Sequence, residues 1–175
     1  LKIFDSYAIA WSLTTLTGLL LIPVLLFLGV PTLGDRFWWA LLVGGSLNIL
    51  AVLLYMKALE SSDLSLSVPM ITFTPLFLLI TSPLLVGEIP TFKDGLGVCC
   101  IVGGAYILKL EARRQGYWAP FRALLKERGP KFMLGVAFVW SITANIDKIG
   151  IHNSSPIFWA IAIFLFNSLI LLPIM

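Results

Sequence analysis

The sequence predicts an all-α fold, a multi-pass transmembrane helical bundle with about six spans in this chain. Three observations carry that prediction. The 175-residue chain is 59% hydrophobic and only 12% charged, with a mean hydropathy of +0.98. An average soluble domain is about 45–50% apolar and about 25% charged, so this chain has too few polar groups to cover a water-facing surface. Its apolar residues gather in runs near the ~20 residues that a helix needs to cross about 30 Å of hydrocarbon. The runs also fail to alternate: Leu19 to Leu28 and Leu76 to Val86 lack the polar–apolar period of a transmembrane strand. Helices close their own backbone hydrogen bonds in lipid and are therefore preferred. High hydrophobicity excludes intrinsic disorder. Two adjacent cysteines in an apolar run, Cys99 and Cys100, exclude a disulfide scaffold.

The candidate spans are 7–28, 37–59, 64–86, 95–110, 132–150 and 156–175. Gly29 to Arg36, with Pro31 and Gly34, separates the first two. Glu60 to Asp63 separates the second and third, with Ser62 or Asp63 as candidate N-cap. Pro69, Pro75 and Pro83 should bend the third span and free carbonyls locally. Gly87 to Asp94 forms the next break. In the fourth span Gly95, Cys99 and Gly103 recur every four residues, a spacing that lets helix backbones approach closely. The segment 111–131 is the only sizeable polar stretch. Phe121, Leu124 and Leu125 fall on one side and Arg122 and Lys126 on another, as in a short helix lying on headgroups and ended by Gly129-Pro130; a solvated linker fits as well.

Net charge is +3, and seven of the twelve Lys and Arg lie in 109–131. That clustering fits a membrane-flanking loop and not a nucleic-acid face, and it assigns the loop to the cytoplasm. His152 is the only histidine. Neither a His-Glu-x-x-His, a nucleotide-binding glycine loop nor a Gly-x-Ser-x-Gly is present, so no enzyme chemistry, catalytic residue, metal or cofactor is expected.

Polar groups at bilayer depth are the candidates for binding, because each amide in hydrocarbon needs a partner. Asn48 and Tyr55, seven apart, share a helix face. Trp140 and Asn145 lie in the fifth span, Trp11 in the first and Asn167 in the sixth; Trp11 and Trp140 are candidates for the floor of an apolar pocket. These six are the expected solute contacts, with interhelical hydrogen bonding and aromatic packing as the competing role. Lys57, Glu88, Asp147 and Lys148 are candidate coupling or structural charges. Snorkelling suits Lys57, helix capping or pairing with Lys93 suits Glu88, and interfacial anchoring suits Asp147 and Lys148. Phe37, Trp38 and Trp39 read as an interface belt.

Shifted back by 150 positions, the sixth span lies on the first: Ala160 meets Ala10, Leu169 meets Leu19, Leu171 meets Leu21 and Pro173 meets Pro23. The same shift places the fifth span just ahead of residue 1. Five spans per half would invert the second half relative to the first, a transporter design, and would give an intact chain of roughly 280–300 residues.

The sequence resembles the EamA type of the drug/metabolite transporter superfamily. The resemblance is strongest over 37–110 and rests on Tyr55-Met56-Lys57-Ala58-Leu59, Thr74-Pro75-Leu76, Leu85-Val86-Gly87-Glu88-Ile89-Pro90 and the glycines Gly95, Gly97, Gly103 and Gly104. Residues 132–175, with Trp140-Ser141 and Asn145 to Lys148, resemble the opening of the second half. It implies a ten-helix carrier in which 1–110 are the last four helices of the first repeat, 111–131 a basic connector and 132–175 the first two helices of the second, with the first helix and the last three lacking. It also implies that the connector lies outside, against the charge assignment. The expected function is movement of a small organic metabolite by alternating access; the alternative is a non-transporting scaffold or lipid-carrier flippase subunit. Expected partners are the lipid bilayer of the cell membrane and a small-molecule solute, not nucleic acid, with a homodimer left open.

Overall fold

The computed structural model describes residues 3–62, 67–108 and 127–174, and these are helical apart from short turns. The helices are α1 (Ile3–Leu28), α2 (Phe37–Ser61), a 3-10 segment (Val68–Phe73) leading into α3 (Thr74–Leu85), α4 (Phe92–Leu108), α5 (Arg128–His152) and α6 (Pro156–Leu171), extended by a 3-10 turn (Leu172–Ile174). Among the described residues, four stretches are long and apolar enough to cross a membrane: Ala8–Leu28, Phe37–Ser61, Val68–Leu85 and Arg128–His152. α6 is apolar but shorter, at 16 residues. Side chains such as Leu26, Phe27 and Leu84 are more than three-quarters exposed, an arrangement suited to a lipid solvent.

Helix ends follow from local chemistry. Gly29 takes φ 74° and donates its N–H to Leu25 O at 2.8 Å, the left-handed cap that a side chain disfavours. α4 opens with a cap made by the Asp94 carboxylate: Thr91 N and Thr91 Oγ1 both donate to Asp94 Oδ2 at 2.7 Å. Those bonds, the side-chain one foremost, hold the Asp94 carboxyl below its ordinary value of 3.8. A depressed folded-state pKa stabilises above the unfolded value, and the effect is lost as pH falls through the folded one. The protection of amides at the start of α4, taken relative to the intrinsic exchange rate at each pH, is therefore expected to fall as pH drops below about 4, and Asp94→Asn should remove that pH dependence.

The prolines of the third span act as expected on the carbonyls. Pro75 cannot donate to Ile71 O; Thr74 Oγ1 donates to it instead at 2.7 Å. Thr72 Oγ1 donates to Pro69 O at 2.6 Å within the 3-10 segment. The bend takes the form of a 3-10 segment preceding the α-helix. A hydroxyl thus re-satisfies backbone that proline frees inside the span.

Several local expectations are corrected. Ser67 precedes the 3-10 segment with helical dihedrals and makes no capping hydrogen bond, and its hydroxyl bonds that of Ser62 at 2.7 Å; residues 63–66, and with them the candidate cap Asp63, lie outside the described residues. Gly129-Pro130 opens α5 instead of ending a surface helix, since proline is tolerated in a first turn. The surface helix expected before it lies outside the described residues. A Cβ on Gly95, Gly97, Gly103 or Gly104 would meet open space, so this stripe makes no close packing among the described residues. Phe37 is buried and packs on Phe158 and Trp159, while Trp38 and Trp39 are exposed as belt residues would be.

The chain divides into two compact units. The first comprises residues 1–50 and 143–175. Here α1 and α6 pack along each other: Thr15 Oγ1 and Ser168 Oγ share a hydrogen bond of 2.5 Å, and a Cβ on Gly18 would touch Leu165. Residues rising along α1 meet residues falling along α6, so the pair is antiparallel. Trp159 anchors the rest of this unit. It is 3% exposed, meets Phe37 edge-on at 5.8 Å, lies against the bare backbone of Gly150 and donates to Asp147 Oδ1 at 3.1 Å. The two turns on this side are tied: Gly34 N donates to Asn153 O at 2.9 Å.

The second unit comprises residues 51–142. Its buried core is Ala58, Met70, Met133 and Val136. Leu54 lies beside Gly135 and Ala58 beside Gly129, so these parts of α2 and α5 are also antiparallel. Thr81 Oγ1 reaches Ser141 O at 3.3 Å, joining α3 to α5.

Candidate solute-binding site

Two of the six expected contacts meet in the second unit. Tyr55 and Trp140 stack with centroids 6.3 Å apart and an interplanar angle of 26°. α2 and α5 bring them together because both flank the Ala58–Met133 core. Each ring is half-buried and keeps part of its surface for another molecule.

The other four lie in the first unit. Asn145 is 3% exposed and has polar or ring partners; Asn48 is half-buried on α2. Trp11 and Asn167 differ in kind. Trp11 Nε1 and Asn167 Oδ1 are buried without a hydrogen-bond partner among the described residues. Trp11 stands one helical turn before Thr15 on α1 and so shares its face, whereas Asn167 precedes Ser168 by one residue on α6 and points about 100° away from it.

The candidate charges separate by surroundings. Lys57 is exposed near the end of α2. Asp147 accepts the Trp159 indole N–H, so it pairs within its own unit. Its neighbour Lys148 also has a partner. Glu88 and Lys93 line one end of a cleft of about 720 Å³ between α3 and α4, whose walls include Pro75, Leu78 and Val98. Thr91 and Asp94 cap the start of α4, and Glu88 has a partner as well. Sequence reasoning missed Trp159 as the organiser of the first unit. The available signal was Gly44 and Gly150, small residues on neighbouring helices that leave room for a large ring.

Helices with lipid-suited surfaces, proline-freed carbonyls satisfied inside a span and polar side chains held at depth define a multi-pass membrane protein. The EamA-like transporter family model matches residues 1–110. The chain belongs to that family, one of membrane transporters and not of enzymes. No curated protein and no solved structure matches the chain.

Proposed function

We propose that the protein is a secondary carrier of the cell membrane that moves a small organic metabolite by alternating access between two inverted five-helix repeats. The observation that carries this reading is the α1–α6 crossing. Adding 150 to Thr15 gives Leu165, and adding it to Gly18 gives Ser168. The shift therefore turns one observed contact, Thr15 with Ser168, into the other, Gly18 with Leu165. Equivalent helices packed antiparallel about such an exchange fit an inverted repeat, and substrates of inverted-repeat carriers bind near the bilayer midplane at the repeat interface. On this reading 1–110 belong to the first repeat and 132–175 to the second, joined by the basic connector 111–131.

Trp11, Asn48, Asn145 and Asn167 of the first unit, and separately the Tyr55–Trp140 stack of the second, are the proposed solute contacts. The test is solute uptake into liposomes holding the full-length protein. Uptake is expected for at least one metabolite class. Tyr55→Leu should lower it roughly tenfold, about 1.4 kcal/mol, while thermal unfolding moves little because the ring is half-exposed. A folded protein that moves no solute favours a scaffold.

A further inference from the structure

Independently of any carried solute, we infer that the cleft between α3 and α4 binds one membrane phospholipid with a zwitterionic, hydrogen-bond-donating headgroup, of the phosphatidylethanolamine kind. Its phosphate lies on Lys93, its ammonium on Glu88 and Asp94, and an acyl chain along the apolar walls. The cleft, of about 720 Å³, is lined by one face of each helix. On α3 that face carries Pro75, Leu78 and Ser82, at i, i+3 and i+7; on α4 it carries Lys93, Gly97 and Ile101, each four apart.

The dimensions are those of one leaflet. Pro75 lies ten residues before the end of α3, and Ile101 nine residues after the start of α4. Both walls therefore run about 15 Å at 1.5 Å per residue, half of the ~30 Å hydrocarbon core. The charged lining residues, Glu88, Lys93 and Asp94, all stand at the end where the two helices turn. Gly97 leaves the α4 wall bare: a Cβ there would meet no atom within 4 Å. Ile89 and Ile101 line the cleft and are exposed, so it opens on a surface suited to lipid.

Charge selects the headgroup. Two carboxylates and one ammonium make the mouth net negative, which opposes an anionic lipid. A choline has no N–H to give a carboxylate, whereas a primary ammonium has three. Asp94 Oδ2 already accepts twice from Thr91, and Glu88 has a protein partner. A carboxylate offers about four acceptor sites, so each retains capacity for the headgroup.

The full-length protein in detergent is titrated with phosphatidylethanolamine, phosphatidylcholine or phosphatidylglycerol of identical acyl chains. Thermal unfolding and the lipid retained after gel filtration are read together. Phosphatidylethanolamine is expected to raise the melting temperature most and to be retained. Lys93→Gln or Glu88→Gln should weaken that binding about tenfold, the effect of losing one charge-assisted hydrogen bond. Gly97→Leu should abolish it by filling the cleft. Its lipid-free melting temperature should be unchanged or higher, since the new Cβ meets no atom and leucine favours helix. Equal responses to all three lipids, as when another helix or a second copy of the chain fills the cleft, would overturn the inference. Preference for phosphatidylglycerol, or retention that survives Gly97→Leu, would overturn it as well.

Discussion

Trp159→Ala is expected to cost about 3–5 kcal/mol of stability, the range for deleting a buried aromatic ring. The ring is 3% exposed, meets Phe37 at 5.8 Å and covers the backbone of Gly150 so closely that an added Cβ there would overlap the indole. Removing it leaves a cavity among α2, α5 and α6 of the first unit and strips Asp147 of its indole donor. Trp159→Phe separates these effects. It retains most of the apolar contact and loses the hydrogen bond, for about 1–3 kcal/mol. Gly150→Leu should destabilise from the opposite direction, and paired with Trp159→Ala should recover part of the loss, because both act on one space. Unfolding in detergent, followed by circular dichroism, measures all three. Equal midpoints for wild type and Trp159→Ala would mean that the ring does not anchor this unit.

Gly129→Val is expected to destabilise the second unit by about 1–3 kcal/mol or more through overpacking. A Cβ at this position would overlap Ser62 Oγ and stand 2.7 Å from Ser67 Oγ and 2.9 Å from Ala58 O. The two hydroxyls can turn away; a helix carbonyl cannot. Ser62→Ala combined with Gly129→Ala should therefore recover only a fraction of the loss caused by Gly129→Ala alone. Full recovery would show that the carbonyl contact does not limit the site. The same unfolding measurement reads both variants.

The helices were legible because their cause is local: apolar runs of near-span length, broken by glycine, proline and charge. Gly29 and Gly87 mark two of those breaks and both adopt the left-handed conformation. Pairing between helices was less legible. The stripe of Gly95, Cys99 and Gly103 has the spacing of a packing face but meets open space, whereas Gly44, Gly45 and Gly150, which lack that repeat, receive the rings of Trp159 and Phe166. Spacing states which residues share a face and says nothing of what stands opposite. The Tyr55–Trp140 stack was anticipated only as two separate residues, because 85 positions of sequence lie between them. The 150-residue shift that lays the sixth span on the first also exchanges the two contacts of their crossing, Thr15 with Ser168 and Gly18 with Leu165.

The α1–α6 crossing joins segments 153 residues apart at Thr15 and Ser168, and this bears on biosynthesis. α1 enters the lipid long before α6 has been translated, and it must remain soluble in fat while it waits. Its hydroxyls are already occupied at home: Ser12 donates to Ala8 O, Thr14 to Ala10 O and Thr15 to Trp11 O. These three hydroxyls thus have partners within α1, and late docking adds the Thr15–Ser168 hydrogen bond and the contact at Gly18. Assembly of this membrane protein is in that sense a two-stage event, insertion first and lateral recognition afterwards.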